Sequence, residues 1–138
     1  MRHDQNDNPV EWRIDAEPTP YPEALADMEA RAAAITAGEA SERVWLLEHP
    51  PLYTAGTSAD PAELLAPERF PVYRSGRGGR YTYHGPGQTM VYVLLDLRRA
   101  GYGVRELVQR IERGVIALLA SHGVTAYGKR DAPGVYVR

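Results

Sequence analysis

The sequence predicts a mixed α/β (α+β) domain with a mainly antiparallel sheet backed by helices. Two helical segments with periodic apolar residues are separated by a run of short β-type segments, and these follow one another without a long intervening helix. A chain of 138 residues suits one domain. Its 43% hydrophobic and 25% charged residues are typical of a globular protein.

The first third of the chain is predicted to hold a lead-in, a strand and a helix. Residues 1–8 are polar and predict a flexible lead-in, after which "VEWRIDAE" shows the alternation of a strand. Pro22 suits the first turn of the helix that follows, and Gly38 suits its end. The apolar residues that recur on one face of this helix are Leu25, Met28, Ala32 and Ile35.

The middle of the chain is predicted to be mostly β-structure. Val44 to Leu47 is interpreted as a buried strand that breaks at Pro50-Pro51 into an extended segment. Asp60 and Pro61 predict a short capped helical turn, and "FPVYRS" and "RYTYH" are interpreted as short β segments. The nearly continuous apolar run Thr89 to Leu97 predicts a central strand buried on both faces.

The last third is predicted to form one helix and two strands. "GVRELVQRIERGVIALLASHG" ends at Gly123, and Gly114 within it indicates close packing on the sheet. "VTAYG" and "GVYVR" are interpreted as strands, and because the second is apolar with no turn after it, we expect the sheet to continue beyond Arg138. The apolar stripe of the helix consists of Leu107, Val108, Ile111, Val115, Leu118 and Leu119.

Charge and composition narrow the function classes. The formal net charge of −2 provides no field that would attract nucleic acid or an anionic membrane. No apolar stretch reaches the ~18 residues of a membrane span, and the polar start has no secretory pattern, so a cytoplasmic location is expected. The chain contains no cysteine, which excludes a cysteine nucleophile or a thiolate metal site within it. No spacing indicates a metal site or a cofactor.

The stretch "RGGRYTYHGPGQ", residues 77–88, is the most unusual part of the sequence. Gly76, Gly78 and Gly79 would allow close approach of a ligand or of another strand, and consecutive amides in such a loop can bind an anion. The arginines that would reinforce this site are Arg74, Arg77 and Arg80. The alternative is a tight turn with its arginines in solvent, and spacing alone does not decide between the two.

Two histidines are candidates for polar roles. His84 could act as a general base or donate to a carbonyl, or it could be a structural hydrogen-bonding residue. The turn 85–87 (Gly-Pro-Gly) would fix the direction of His84. His49, in "EHPP", is interpreted as a capping or core polar residue. Leu52 and Tyr53 next to small and hydroxyl residues suit either an apolar pocket with a polar end or a packed loop.

Three sequence matches occur in order along the chain. "RGGRYTYHGPGQ" followed by an apolar strand ending in "LDLR" closely resembles the lipoyl(octanoyl) transferase family of lipoate biosynthesis. The upstream "EHPPLYTAGTSAD" and the downstream "APGVYV" are similar to further segments of that family. The resemblance implies a fold like that of biotin and lipoate protein ligases, with residues 9–138 as the amino-terminal part of one octanoyltransferase catalytic domain.

The resemblance also implies a reaction. An octanoyl group would leave an acyl carrier protein thioester, form an acyl-cysteine, and pass to a lysine of a lipoyl domain. The acceptors would be lipoyl domains of 2-oxoacid dehydrogenase complexes and the glycine cleavage H protein, with no cofactor, metal, nucleic acid or membrane. The implied substrate-binding run is Arg77, Gly78, Gly79, Arg80, Tyr81, Thr82, Tyr83 and His84. Leu52, Tyr53 and the strand 91–95 are expected to help wall an acyl tunnel.

The family's catalytic residues are not expected within this chain. In the family a lysine stabilises the thiolate of the cysteine nucleophile, and the resemblance implies that both lie beyond Arg138. Lys129 precedes "APGVYV" and does not occupy the position of that lysine. The 138 residues by themselves are therefore expected to be inactive.

Other functions remain open from the sequence. One is an ATP-dependent relative of lipoate or biotin ligases, although the "TYHGPGQ" segment differs from their glycine loops. Another is a non-catalytic module that binds carrier proteins or lipoyl domains. Nucleic-acid binding would rest on three arginines among aromatic residues and is disfavoured by the net charge.

Overall fold

A computed structural model describes residues 9–138, and these form two compact units. The first unit ends at Leu95, and the second runs from Asp96 to Arg138. The predicted lead-in, residues 1–8, lies outside the described residues. That residues 9–138 belong to a single catalytic domain stays a prediction.

The first unit contains two three-stranded sheets and one long helix. The order of strands is β1-β2-β6 in sheet A and β4-β3-β5 in sheet B. In each sheet the central strand has one parallel and one antiparallel neighbour. The elements are β1 (Glu11–Ile14), α1 (Tyr21–Thr36), β2 (Arg43–Leu47), β3 (Leu52–Ala55), a 3₁₀ turn (Pro61–Glu63), β4 (Val72–Arg74), β5 (Tyr81–His84) and β6 (Met90–Leu94).

Sheet A and α1 enclose the core of this unit. The side chains of β2 alternate between buried and half-buried, so that Trp45 and Leu47 point to the helix side. Ala24 of α1 is fully buried against them, and its small side chain allows the helix to approach the sheet closely. Met28 of α1 and Tyr92 of β6 pack at the border of this cluster.

The long helix α1 begins and ends where the sequence predicts. Pro22 lies in the first turn, and Gly38 follows the helix with a φ of 74°. The predicted apolar face is shifted by about one position, because Ala32 is exposed whereas Tyr21 and Ala24 are buried. An alanine-rich helix has a weak apolar stripe, so its sequence leaves the buried face poorly defined.

Two interpretations of the strands were wrong. Within the run Thr89 to Leu97 only Met90–Leu94 form a strand, β6, which pairs only with β2 among the described residues, and Val91 is half exposed. The central strand of sheet A is β2. The segment after Pro50-Pro51 is a regular strand, β3, and it is the centre of sheet B. A run of apolar residues does not distinguish an edge strand from a central one, and a proline pair conceals a strand that begins directly after it.

The second unit is a helix packed on a β-hairpin. It consists of α2 (Leu97–Ala100), α3 (Val104–Ser121), β7 (Ala126–Lys129) and β8 (Ala132–Val137). The two strands pair antiparallel and contact α3, and Glu112 accepts a hydrogen bond from the backbone of Gly134 at 2.9 Å. The expected close packing at Gly114 is wrong, because a Cβ there would meet open space.

The predicted fold class is confirmed: the chain is a mixed α+β structure whose sheets are backed by helices. Three of the described strand pairings are antiparallel and two are parallel. Within residues 9–138, no helix is both long and apolar enough to cross a membrane.

Sheet A is closed at its helix side by an ionic network around Arg43. The Arg43 side chain is buried in β2 and pairs with Asp27 of α1 at 2.9 Å and with Glu11 of β1 at 3.1 Å. Arg13 reaches the other Asp27 oxygen at 2.7 Å and stacks over the Trp45 ring, 4.1 Å from its centroid. The hydrogen bond from Arg13, with a further contribution from Arg43, lowers the pKa of Asp27 below its ordinary value of 3.8. Partial burial opposes this shift but does not cancel it.

We expect Asp27→Asn to lower the free energy of unfolding at neutral pH by about 1 kcal/mol. A carboxylate with a depressed folded pKa stabilises the protein above its unfolded pKa, and that contribution is lost as the pH falls through the folded pKa. The difference in unfolding free energy between wild type and Asp27→Asn should therefore be smaller at about pH 3 than at neutral pH. Urea unfolding at both pH values measures it, with Glu29→Gln on the exposed side of α1 as control. A difference that is equal at both pH values would contradict the ionic role of Asp27.

Candidate functional site

The glycine-rich loop comprises residues 75–80, between β4 and β5, and it folds back over the end of β3. β3 and β5 pair so that Thr54 lies opposite Thr82 and Leu52 opposite His84. Beyond β3, three consecutive backbone amides, those of residues 56–58, donate to carbonyls of the loop at 3.0 Å each. The acceptors are Arg80, Arg77 and Gly79. The loop is therefore an extension of sheet B with a fixed path.

Gly56 is the residue that allows this close packing. A Cβ at Gly56 would collide with the carbonyl oxygen of Gly79 and would lie 2.7 Å from a guanidinium nitrogen of Arg77. By contrast, a Cβ at Gly76 or Gly78 would meet nothing within 4 Å. Close approach was expected at Gly76, Gly78 and Gly79 of the loop, whereas in the structure Gly56, directly after β3, makes the closest approach.

The guanidinium of Arg77 is enclosed by acceptors of β3, of β5 and of its own loop. Its Nη2 lies 2.7 Å from Thr54 Oγ1, 3.0 Å from the Thr54 and Arg80 carbonyl oxygens, and 3.2 Å from Thr82 Oγ1. Its Nη1 donates to the Gly78 carbonyl at 2.9 Å. A planar guanidinium with five donors suits such a cluster of converging oxygens. Arg77 thus stabilises the loop internally.

The other two loop arginines lie toward solvent. Arg74 is exposed on β4, and Arg80 forms an exposed ion pair with Glu63 at 2.8 Å. Of the two interpretations that the sequence left open, the geometry favours an ordered turn over an anion-binding nest formed by three arginines. Among the residues that the structure describes, no group of three or more acidic, histidine or cysteine side chains could hold a metal ion.

His84 is buried at the end of β5, directly beneath this loop. Its Nε2 lies 3.0 Å from Thr54 Oγ1, and its buried Nδ1 has no hydrogen-bond partner among the described residues. Burial, together with His49 and Arg77, lowers the pKa of His84 below its usual value, and the Gln88 side chain opposes this in part. His84 is therefore neutral at physiological pH, with one ring nitrogen available.

The turn after His84 is fixed as the sequence predicts. The Gln88 amide donates to the Gly85 carbonyl at 3.1 Å, and Gly87 has a φ of 87°. Glu48, from the segment after β2, accepts the Gly87 amide at 2.7 Å. The side chain of Tyr83 occupies the space in which a Cβ of Gly85 would lie.

His49 is the fully buried core histidine that the sequence predicts. Its Nδ1 lies 2.7 Å from the Thr19 carbonyl, so this nitrogen must carry a proton and donate. Its Nε2 lies 2.7 Å from the Tyr92 hydroxyl. Burial, with Tyr21 nearby, raises the pKa of Tyr92 to about 12, so the hydroxyl keeps its proton and donates it to Nε2. The His49 and His84 rings meet edge to face with their centroids 6.1 Å apart.

Aromatic rings line the other face of sheet B. Tyr53 of β3 packs against Phe70 and Tyr83, with ring centroids 5.7 and 6.0 Å away, and Phe70 and Tyr83 are 5.6 Å apart. Tyr83 is 44% exposed, so this face has an accessible apolar surface. Leu52, by contrast, is 3% exposed and faces the interior.

An apolar groove of about 240 Å³ lies elsewhere in the first unit, between α1 and the end of β6. Ala32, Ile35 and Thr36 line it from the helix, and residues 93–95 line it from the strand. Part of the strand segment expected in an acyl tunnel thus borders this groove, whereas Leu52 and Tyr53 do not line it. The tunnel itself stays a prediction.

The structure brings together part of the predicted substrate-binding run. Arg77, Thr82 and His84 surround the Thr54 side chain, whereas Tyr81 and Tyr83 point to the opposite face of β5. Sequence reasoning missed Thr54 and Gly56. The signal that could have identified them is the T-x-G of "YTAG" at the end of a strand, since alternation places the threonine and the glycine on one face.

Comparisons with known proteins agree with the resemblance seen in the sequence. Residues 20–138 match the family model of the lipoyl protein ligase A/B catalytic domain. An octanoyltransferase of Rhizorhabdus wittichii is 60% identical over 130 residues, which cover 94% of this chain and 58% of that protein. One from Maricaulis maris is 59% identical over 128 residues, covering 93% and 57%. The chain thus spans little more than half the length of the curated relatives it matches.

A solved structure shows the same fold. This protein from T. acidophilum, provisionally described as a lipoate protein ligase, superposes with a TM-score of 0.56 at 15% identity. The superposition covers 93% of this chain and 55% of that one. At this identity the likeness concerns the fold alone.

We expect Gly56→Ala to lower the free energy of unfolding by about 1–3 kcal/mol, because the new methyl group collides with the Gly79 backbone. Gly76→Ala is the matched control in the same loop, since its methyl group meets open space and its φ is not positive. Thermal unfolding of both variants measures the difference. Equal stability of the two variants would contradict the close packing of the loop on β3.

Proposed function

The chain belongs to the family of lipoyl protein ligase A/B catalytic domains, and from this membership we propose that it is part of an octanoyltransferase of protein lipoylation. The observation that carries this proposal is the identity of about 60% with curated octanoyltransferases over nearly the whole chain. The proposed donor is octanoyl-acyl carrier protein. The proposed acceptor is a specific lysine of lipoyl domains, in 2-oxoacid dehydrogenase complexes and the glycine cleavage H protein, in the cytoplasm.

The proposed reaction has two acyl transfers. A cysteine thiolate attacks the carbonyl carbon of the donor thioester, and the carrier-protein thiol leaves. The acceptor lysine amine then attacks the acyl-cysteine, an amide bond forms, and the cysteine thiol is released. Because this chain has no cysteine, the proposal assigns the cysteine and its activating lysine to positions beyond Arg138, as the family resemblance implies.

Within this chain, we assign the substrate-binding role to the run Arg77–His84 and divide it by geometry. Arg77 fixes the path of the loop through bonds to Thr54, Gly78, Arg80 and Thr82. His84 presents a neutral ring whose Nδ1 lacks a partner, which suits an acceptor such as a carbonyl oxygen. The aromatic face formed by Tyr53, Phe70 and Tyr83 supplies apolar surface of the kind that an acyl chain requires.

The test is a transfer assay with the protein isolated from its native source. Octanoyl-acyl carrier protein and an unmodified lipoyl domain are mixed with it in the absence of ATP, and the intact mass of the lipoyl domain is followed. We expect the domain to gain one octanoyl group on lysine. A parallel reaction with free octanoate and ATP serves as the comparison.

Each alternative function has its own signature in this assay. Transfer only from free octanoate with ATP, through an acyl-adenylate, would replace the proposed function with that of a ligase. Binding of the lipoyl domain with no transfer from either donor would indicate a non-catalytic module. Both results would overturn the octanoyltransferase proposal.

We expect His84→Gln to lower kcat/KM for octanoyl transfer about 100-fold, because the glutamine amide lies near the position of Nε2 and leaves no donor at the position of Nδ1, where the substrate carbonyl would bind. The matched control is His122→Gln, at the exposed end of α3, which should retain wild-type kinetics. Steady-state kinetics with both variants measure the effect, and circular dichroism checks that they fold. Wild-type kinetics in a folded His84→Gln protein would rule out the substrate-binding role of this residue.

A further inference from the structure

We propose that Thr54 is a positioning residue that holds His84 in the tautomer with the proton on Nδ1, so that Nδ1–H is the donor for the substrate's carbonyl oxygen. The role toward a carbonyl rests on the proposed function. The tautomer itself follows from hydrogen bonds within the first unit and can be tested without any substrate.

The first step is the direction of the bond between Arg77 and Thr54. A guanidinium has only donors and stays protonated in proteins. Its Nη2 lies 2.7 Å from Thr54 Oγ1, the shortest of the distances that this nitrogen makes. Thr54 Oγ1 therefore accepts from Arg77, and its single hydrogen is left to point elsewhere.

The second step is the direction of the bond between Thr54 and His84. Thr54 is 3% exposed, and apart from Arg77 the partner that the structure gives its hydroxyl is His84 Nε2, at 3.0 Å. If Nε2 carried the proton, Oγ1 would receive two donors and its own hydrogen would have no acceptor in a buried site. Such an unsatisfied donor costs about 1–3 kcal/mol. The hydroxyl therefore donates to Nε2, and Nε2 is unprotonated.

The third step concerns the remaining nitrogen of His84. The ring is neutral because burial, His49 and Arg77 lower its pKa, so its one proton lies on Nδ1. This nitrogen is buried and has no hydrogen-bond partner among the described residues. A buried donor without an acceptor is costly in the free protein and is satisfied when an acceptor atom binds. Gln88 lies close enough to the ring to raise its pKa in part, but it makes no hydrogen bond of good geometry to Nδ1, so a substrate acceptor would displace the Gln88 side chain.

His49 provides an internal reference for this inference. It is held in the same tautomer, but by the Thr19 carbonyl and the Tyr92 hydroxyl. Thr54 makes no hydrogen bond to it in the described structure. A change at Thr54 should therefore alter the ring nitrogens of His84 and leave those of His49 as they are.

The experiment is proton–nitrogen correlation NMR of histidine ring nitrogens, on the native protein labelled at histidine and free of substrate. Wild type, Thr54→Val and Thr54→Ser are compared, and His84→Gln and His122→Gln assign the signals. Valine keeps the shape and strand preference of threonine but removes the hydroxyl, whereas serine keeps the hydroxyl. We expect wild type and Thr54→Ser to carry the His84 proton on Nδ1, and Thr54→Val to show a mixture or the Nε2 form, with His49 unchanged.

Steady-state kinetics of the Thr54 variants test whether the His84 tautomer matters for octanoyl transfer. Thr54→Val should lower kcat for octanoyl transfer about tenfold or more with little change in KM, since a donor that acts on developing charge contributes mainly in the transition state. Thr54→Ser should recover most of kcat. A loss that serine does not recover, or one confined to KM, would overturn the positioning role in the reaction.

The outcomes separate the inference from the proposed function. A wild-type His84 with its proton on Nε2, or an Nδ1 tautomer that persists in Thr54→Val, would overturn the inference. If Thr54→Val does not fold, the wild-type tautomer alone decides it. A tautomer that depends on Thr54 in a protein that transfers no octanoyl group would overturn the proposed function and support the positioning of His84.

Discussion

The side chain of His49 connects the start of α1 with β6 and with His84 of the candidate site. It lies in the segment between β2 and β3, where the chain leaves sheet A and enters sheet B. One ring nitrogen is bonded to the backbone before α1 and the other to Tyr92 of β6. The ring edges also contact Tyr21 of α1 and His84 of β5. A fully buried imidazole is costly unless both nitrogens are satisfied, so this junction restricts the position of both sheets at once.

The loop next to His84 is likewise held by polar groups that hydrogen-bond to one another. Arg77 donates to oxygens of β3, of β5 and of the loop itself. Because the Thr54 hydroxyl accepts from Arg77, its own hydrogen points to His84. A lysine could not reproduce the arrangement, because an ammonium group lacks the planar fork that reaches several converging oxygens. In this site the charged arginine orders the loop, and the neighbouring His84 ring is uncharged.

Much of the fold could be read from local patterns, and the failures have physical causes. The helix start at Pro22, the cap at Asp60 and the turn after His84 depend on neighbouring residues, and the sequence predicts them correctly. Whether a strand such as β6 lies at the edge or the centre of a sheet depends on its pairing with distant strands. A run of apolar residues does not encode that pairing. The ionic network that buries Arg43 depends on residues of three elements, and no local sequence pattern encodes it. The role of Gly56 is likewise set by a loop that follows more than twenty positions later.

The strand register has a consequence for the order in which the chain folds. In the second unit β7 and β8 form a hairpin in which Lys129 pairs with Ala132, so its contacts are local. In the first unit β2 pairs with β6 from Arg43–Leu94 to Leu47–Met90, and all three strands of sheet B lie in the chain between them. Closing such a large loop costs chain entropy before any contact compensates for it, and non-local pairing slows folding. A hairpin with local contacts forms within about microseconds. Pairing of β2 with β6 closes a far longer loop, and this loop is shortened when sheet B, with the arginine-bearing turn of the candidate site, is already folded.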